Sequence, residues 1–537
     1  MDAGGLRIQK IIGRSSSNDK PMIHRYKYEG GVIYDDQKNY VSSQQKVIRK
    51  RTHFRQLKFY VSSTNLSPSN DFFGASVVYS AVKEYLPNGA CIRYDYTPYN
   101  QYPDVSPYFS TQCHGECIIT ATPVAHSITP KTSRSYGRNI LKSKTSYDSS
   151  GHVIDSMSCQ YALFSPGYHF TGLTVQGSCY DDGETFNKWY RIGQFAIHSN
   201  VMQLTETKIH KGRYNSASKI SYEYDPESGL LRQMKQIDSD GITTETTYTY
   251  AQNFEAADTT TLLGRLQRRN VLIPLEEITT RNGKVIAAKG RSFRLNEANR
   301  KAIVPDCEKS LIKAEPIDRT SFTSVQCTPT KITFNSHYKN DINYLEYNAS
   351  GQLLCYQDEN GINHSFLYTS NTTRPYMTLH NARLSANLAD NEVFFTDFEH
   401  LTGPNYLQAR SGTKVLSTTP FSAYTINQKL KAGEYTAVFW HDKNGPSQPM
   451  KRLTAPVTVA SSSTFPSVVF GISGYIDDLC IIPRNATLST CHYVPGWGNT
   501  LETDEQGRDL KTEYNGFGLP VKITNHNGIV VKQYDYK

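Results

Sequence analysis

The sequence lacks the patterns that mark most nucleic-acid-binding proteins and many enzymes. Charged residues make up 20% of the 537 residues, and the net charge of +9 comes from 58 basic and 49 acidic residues scattered along the chain. Nucleic-acid binding needs a dense basic face, which these scattered charges do not supply. The motifs G-x-S-x-G and H-E-x-x-H and the phosphate-loop signature are missing. We therefore expect no nucleic-acid partner and a non-enzymatic protein.

Long apolar runs and helical periodicity are missing too. No segment approaches the roughly 20 residues of a membrane span, and "MDAGGLRIQK" opens on a strand-like segment instead of a signal peptide. Either the protein is cytoplasmic or the chain lacks its native N-terminus, and we expect the second. Among the 10 cysteines only Cys113 and Cys117 lie close together. Because no fourth zinc ligand is visible beside them and His114, a loop disulfide or free thiols are expected.

Tyrosine and glycine are abundant, and they recur at near-fixed intervals. The chain has 37 Tyr against 22 Phe and 3 Trp, and with Thr, Val and Ile this composition predicts an all-β protein. The segment "YEYDPESGLLRQMKQIDSDGITTETTYTY" from Tyr222 to Tyr250 reads as strand, turn, strand, turn and strand. Similar units run from Tyr344 to Tyr368 and from Tyr493 to the C-terminus. A single hairpin is marginally stable, so these units must stack as an array.

Each unit has the same local chemistry. Glycine supplies the positive φ that tight hairpin turns demand, and Y-x-Y alternation sends both rings to one face of a strand. The residues predicted to build the repeats are Tyr222, Tyr224, Asp225, Gly229, Gly241, Tyr248, Tyr250, Tyr347, Gly351, Gly361, Tyr514, Gly518, Gly528 and Tyr534.

One block interrupts this rhythm. Between about Tyr376 and Pro483 the strands are longer and alternate with period two, as in "KLKAGEYTAVFWHD" and "GYIDDLCIIP", which predicts one jelly-roll-like β-sandwich. The predicted domains are a β-rich repeat region over 1–370, an inserted sandwich over 376–484 and further repeats over 485–537.

The repeat unit resembles the YD repeat of RHS proteins. The pattern Y-x-Y-D…G-x-L is carried by Tyr222, Tyr224, Asp225, Gly229 and Leu231. Two later copies, beginning at Tyr347 and Tyr514, have Asn in place of Asp. With the insert and its "DD" strand, the chain is similar to large surface RHS-type proteins of Bacteroidetes bacteria, whose insert resembles a carbohydrate-binding module.

The resemblance implies a secreted or cell-surface β-shell, a partial spiral of hairpins. It also implies further repeats or an enclosed toxin domain of the same polypeptide as partners. Toxin members release that domain beside a P-x-x-x-x-D-P-x-G-L signature. The nearest match here is "DPESGL" at Asp225–Leu230, which has one extra residue and lies inside a repeat, so we interpret it as an ordinary turn.

Two kinds of site are predicted in the insert. The resemblance of the insert to carbohydrate-binding modules implies a structural calcium ion near the terminal strand, the only cofactor predicted. Asp477 and Asp478 on that strand, with Glu399 from the first strand, could supply oxygens to it. The alternative is turn caps and surface charge, and strand alternation predicts that one Asp points inward and the other outward. Tyr435, Phe439 and Trp440 form either a sugar-stacking platform or core, and core packing is favoured. Trp497 in the turn "PGWG" is a further aromatic candidate.

These patterns predict a non-enzymatic surface scaffold that binds a glycan or another surface ligand through its insert. The alternative is the shell fragment of a polymorphic, contact-dependent RHS toxin that lacks its C-terminal toxic domain. A glycan-active enzyme is a third hypothesis, because glycosidases share no universal short motif.

Overall fold

The structure is a computed structural model. It describes residues 7–13, 20–33, 42–49, 55–62, 77–106, 108–114, 131–165, 167, 169–181, 186–212, 216–313, 315–368, 373–387, 389–402, 410, 414–443, 450–463, 465–494 and 498–536.

The described chain is all-β, which confirms the predicted fold class of a hairpin array with an inserted sandwich. One α-helix, α1 (Leu262–Arg268), and four short 3-10 turns at Tyr99–Gln101, Ser135–Gly137, Ala251–Asn253 and Arg319–Ser321 are found in this part of the chain. No described helix is long and apolar enough to cross a membrane.

The strands of the first half are short, except for a group of four with eleven or more residues. In chain order they are β1 (Ile8–Gly13), β2 (Met22–Glu29), β3 (Val32–Ile33), β4 (Ser42–Arg49), β5 (Arg55–Ser62), β6 (Val77–Val78), β7 (Ala81–Tyr85), β8 (Cys91–Tyr96), β9 (Tyr108–His114), β10 (Leu141–Tyr147), β11 (Val153–Phe164), β12 (His169–Asp181), β13 (Phe186–His198), β14 (Val201–Lys211), β15 (Ser216–Tyr224), β16 (Leu231–Ile237) and β17 (Thr243–Thr249).

The second half continues the array and contains the insert. Its strands are β18 (Glu276–Arg281), β19 (Lys284–Leu295), β20 (Ile303–Leu311), β21 (Ile317–Asp318), β22 (Gln326–Cys327), β23 (Ile332–Thr333), β24 (Tyr338–Tyr347), β25 (Leu353–Asp358), β26 (Asn363–Tyr368), β27 (Pro375–His380), β28 (Phe394–Thr396), β29 (Leu416–Thr418), β30 (Ala423–Thr425), β31 (Gly433–Asp442), β32 (Lys451–Val459), β33 (Ser467–Val469), β34 (Gly474–Pro483), β35 (Thr487–Val494), β36 (Gly498–Thr503), β37 (Asp509–Tyr514), β38 (Pro520–Asn525) and β39 (Val530–Tyr536).

The chain separates into two compact units. The first comprises Met1–Ile12, Met22–Glu245 and Asp535–Lys537, and the second comprises Gly13–Pro21 and Thr246–Tyr534. In the first unit β2, β7, β8, β10, β11, β14, β15 and β16 pair antiparallel in that order. A separate sheet of β12, β13 and β9 lies in the same unit.

In the second unit the array runs through β18, β19, β20, β24, β25, β26, β27, β35, β36, β37, β38 and β39, each antiparallel to the next. The step from β27 to β35 spans the insert: Met377 is opposite Thr490 and His380 is opposite Thr487. The first strand of the predicted insert, which begins near Tyr376, therefore pairs with array strands on both sides.

One turn design recurs in the hairpins of the array. The side-chain Oδ1 of Asn525 accepts hydrogen bonds from the backbone N–H groups of Asn527 (3.1 Å) and Ile529 (3.0 Å), and Gly528 has φ +76°. Asp358 makes the same pair of bonds to residues two and four further on. Asp and Asn alternate at this position because both carry the Oδ1 acceptor that the turn requires.

Tyrosines of the repeats bind the backbone of earlier segments. The hydroxyls of Tyr224, Tyr347 and Tyr514 donate to the carbonyl oxygens of Leu204 (2.9 Å), Pro305 (2.9 Å) and Asn499 (2.7 Å). Each ring is thus half-buried with its polar end satisfied, which is the usual arrangement for tyrosine at such positions.

The insert is a small sandwich. Its main sheet contains β28, β34, β31 and β32, with β29 also paired to β34, and β30 pairs with β33 in a two-stranded ladder. Buried aromatic and aliphatic residues, including Phe398, Phe439 and Ile476, fill the core between them. A second apolar cluster joins Met377 and Leu379 of β27 to Val438 and Ile482 of the sandwich. The sandwich therefore packs on the array strands that flank it.

Candidate functional site

The predicted calcium ligands Asp477 and Asp478 lie on β34, where the strand is bulged. The register against β31 shifts between Val438 and Trp440, and Asp478 has φ +50°, in the left-handed region that non-glycine residues rarely adopt. Both carboxylates are fully buried, at 0% exposure. The prediction that one points inward and the other outward is wrong, because a bulge breaks strict strand alternation.

Both buried carboxylates bind groups of the protein. Asp478 Oδ2 accepts a short hydrogen bond from the Tyr376 hydroxyl of β27. Asp477 Oδ2 accepts from the backbone N–H of Arg410 (2.7 Å), and its Oδ1 accepts from the N–H of Asp478 (2.8 Å). A buried carboxylate is tolerated only with such partners. The pair therefore joins the sandwich to β27 and to the segment of Arg410.

Arg410 connects these acids to the array. Its side chain is only 6% exposed, and its Nη1 and Nη2 lie 3.3 Å from the two carboxylate oxygens of Asp509. Nη2 also donates a short bond to the Thr503 hydroxyl, which in turn donates to Asp509 (2.7 Å). The guanidinium carbon lies 5.0 Å from the centre of the Trp440 ring, a cation–π distance.

His492 of β35 completes this buried cluster. Its ring meets Tyr376 edge-on at 5.0 Å. Burial, followed by the nearby charge of Arg410, lowers the pKa of His492 from 6.5 to about 3. The imidazole is therefore neutral at physiological pH. Among the described residues its Nε2 and the Nε of Arg410 have no hydrogen-bond partner. We call Tyr376, Arg410, Asp477, Asp478, His492 and Asp509 the seam cluster.

Glu399, the third predicted calcium ligand, has different surroundings. It lies in an exposed loop, where its Oε1 accepts from the backbone N–H of Lys414 (2.6 Å). Within the described part of the chain, no three His, Cys, Asp or Glu side chains gather as a metal site would require. The structure thus brings Asp477 and Asp478 together but does not place Glu399 with them in such a group. The calcium site stays a prediction.

The predicted aromatic platform lies in the interior. Trp440 and Tyr435 are 2% and 4% exposed, and Phe439 packs against Phe470 at 5.0 Å in the sandwich core. A buried ring offers no free face to a sugar, so core packing, the favoured alternative, describes these residues. Trp497 lies outside the described residues.

Two solvent-exposed rings of the sandwich flank the ladder of β30 and β33. Phe421 precedes β30 and is 92% exposed, and Phe465 precedes β33 and is 53% exposed. Because the strands are antiparallel, with Ala423 opposite Val469, the two rings lie at opposite ends of the ladder. Between them the hydroxyls of Thr425 and Ser467 bind each other at 3.0 Å. We call this surface, from Phe421 to Phe465, the ladder face.

Sequence reasoning found the two aspartates and missed the residues that bind them. Tyr376, Arg410 and His492 belong to no motif, and 67 to 102 residues separate the bonded partners Arg410 and Tyr376 from the aspartates. The exposed Phe421 and Phe465 were likewise not singled out, although phenylalanines beside turn residues such as "TTPF" and "STFP" are a signal for exposure.

Comparison with known proteins gives a coarse likeness in fold. No protein family and no curated protein matches the chain. Crystal structures of TcdB2-TccC3-Cdc42 and TcdB2-TccC3 match with TM-scores of 0.17 and 10% identity, over 94% of this chain and 21% and 22% of theirs. This chain spans about one fifth of the length of those chains. The likeness is to a coarse RHS-like fold, and at such a TM-score it carries no argument about function.

Proposed function

We propose that this chain is a segment of a secreted or cell-surface scaffold of the RHS type, without enzymatic activity, that binds a glycan or another surface ligand through its sandwich insert. The hairpin array supports the scaffold role, because its turns and tyrosines are engaged in holding neighbouring strands. The toxin-shell alternative stays a prediction that no particular contact among the described residues favours.

The exposed aromatic rings of the ladder face are the observation that supports ligand binding by the insert. Aromatic rings stack on the apolar faces of sugars. Protein hydroxyls that lie between two such rings can form hydrogen bonds with the hydroxyls of the sugar. Phe421 and Phe465 expose 92% and 53% of their surface at the two ends of one two-stranded ladder. Lys429, whose Nζ lies 5.7 Å from the centre of the Phe465 ring, adds a positive charge at one end.

A polysaccharide panel tests the proposal on the full chain. We expect wild type to bind at least one polysaccharide. The double variant Phe421→Ser, Phe465→Ser should lose about thirty-fold in affinity, since each of the two stacked rings contributes about 1 kcal/mol. Phe517→Ser is the matched control, because Phe517 is 81% exposed but lies on an array turn. Binding that survives in the double variant, or no binding to any polysaccharide, would remove this role.

A further inference from the structure

A cleft lies in the array of the second unit, between strands and a short helix. Its floor is formed by β19, β20, β24 and β25, and its walls come from α1 and from the hairpin of β22 and β23. The cavity volume is about 590 Å³, within the range of pockets that hold small ligands.

The floor of this cleft carries a polar row. Ser292 is opposite Cys307, Cys307 is opposite Asn343, and Asn343 is opposite Gln357 in successive antiparallel pairs. Directly paired residues project to the same face of a sheet. The row therefore presents a hydroxyl, a thiol and two amides side by side, and all four residues line the cleft.

The cleft also carries positive charge that the protein does not neutralise. Lys309 and Lys331 both line it, and neither has an acidic partner within 4 Å among the described residues. Lys309 Nζ donates a short bond to the Asn340 Oδ1. The one acid of the lining, Asp306, is already held by the Ser292 hydroxyl (2.9 Å) and lies 3.6 Å from Arg294 Nε.

The amides leave hydrogen-bonding capacity for a ligand. Asn340 Nδ2 donates to Asn343 Oδ1 (2.7 Å), so the Nδ2 group of Asn343 is left to donate. Gln357 Nε2 donates to the Gly361 carbonyl oxygen (3.1 Å), so its Oε1 is left to accept. The ammonium of Lys309 has two further protons. The cleft thus offers hydrogen-bond donors from Asn343 and Lys309 and an acceptor from Gln357, next to the positive charge of the lysines.

We propose that this cleft binds an anionic saccharide, a polyhydroxylated ligand that carries a carboxylate or sulfate. The acidic group would lie at Lys309 and Lys331, and the hydroxyls would bind Asn343 and Gln357. The partly exposed side chain of Leu262 on α1, which also lines the cleft, would contact the C–H face of the sugar ring. Both the charge and the mixed donors and acceptors are needed to select this class over a neutral sugar or a simple anion. The cleft is separate from the ladder face, so the inference goes beyond the function proposed above.

Calorimetric titration of the full chain tests the proposal. The probes are a galacturonic acid trisaccharide, a sulfated disaccharide and the neutral sugar maltotriose. We expect binding of at least one acidic probe, weakened by added salt, and much weaker binding of maltotriose. Lys309→Gln should weaken acidic-probe binding about ten-fold through loss of a charge-assisted hydrogen bond. Glutamine can still donate to Asn340. The control Lys511→Gln changes an exposed lysine of β37 and should have no effect.

Three results would overturn the assignment. They are no acidic-probe binding at about 1 mM, equal affinity for the acidic and neutral probes, and equal affinity in Lys309→Gln and wild type. An unchanged thermal unfolding midpoint shows that Lys309→Gln is folded. The ladder-face double variant should bind the acidic probe as wild type does. If that variant loses the probe, the binding belongs to the sandwich and the cleft is not the site.

Discussion

Arg410 contacts several members of the seam cluster at once, and no motif in its local sequence indicates this role. Its backbone N–H binds Asp477, its guanidinium binds Asp509 and Thr503, and its face lies over Trp440. The Arg410 side chain is 6% exposed, so removing Asp509 would leave a buried positive charge without its ionic partner, which costs more than the pair itself contributes. The seam cluster thus attaches the sandwich to the array, and each of its charged members is stabilised by the others.

His492 makes the stability of this attachment depend on pH. Its pKa is lowered from 6.5 to about 3, first by burial and then by Arg410. The unfolded chain takes up a proton as the pH falls through 6.5, while the folded chain stays neutral until about pH 3. The stabilisation is therefore present above pH 6.5 and is lost progressively as the pH falls from 6.5 to 3.

The variant His492→Gln should flatten this dependence. Between pH 6.5 and 3 we expect wild type to lose about 1.4 kcal/mol of unfolding free energy per pH unit more than the variant. Urea unfolding of both proteins at several pH values measures the difference. Parallel curves for the two proteins would show that His492 does not titrate differently on unfolding.

At the scale of elements, the hairpin turn is the most regular feature of the chain. An Asp or Asn Oδ1 caps the turn, and a glycine follows in the left-handed region, as at Asn515–Gly518 and Asn525–Gly528. All of these contacts join residues within four positions of each other. Such a turn forms from local sequence alone, which is why the repeats could be located before the structure was known.

Two glycines near the C-terminus allow the cost of a positive φ to be measured apart from any steric clash of an added Cβ. Gly528 has φ +76° and Gly516 does not have a positive φ, and a Cβ at either position would meet no atom within 4 Å. Gly528→Ala should lower the unfolding free energy by about 1 kcal/mol, because left-handed backbone is strained for alanine. Gly516→Ala should have little effect. Equal destabilisation by both changes, measured by thermal unfolding, would contradict the turn assignment.

For the whole chain, the insert occupies the place of a hairpin turn. β27 and β35 pair directly, so 381–486 connects two neighbouring strands of the array. The sandwich also covers Met377, Leu379 and Leu488, which are fully buried. The array strands can therefore pair without the insert, but their apolar face needs a cover.

Replacing 381–486 by Asn-Gly, the common two-residue hairpin turn, tests this organisation. We expect the strand signal in circular dichroism to persist and the binding of a hydrophobic dye to rise, because an apolar patch is newly exposed. Adding Met377→Thr and Leu379→Thr should lower the dye binding again. Loss of the strand signal in the deletion variant would mean that the array depends on the insert.

The sequence alone determined the all-β class, the positions of the hairpin turns and the presence of an inserted sandwich. These features depend on period-two alternation and on contacts within about four residues, which a sequence displays directly. It also pointed to Asp477 and Asp478, although not to their partners.

Only the tertiary structure decided the rest. The bulge at Asp478 buried both aspartates, and partners 67 to 102 residues away in sequence satisfied them. Trp440 and Tyr435 are buried in the core, while Phe421 and Phe465 are exposed at the surface. The polar row from Ser292 to Gln357 exists because four strands align in one register. Long-range pairing sets that register, and no local pattern records it.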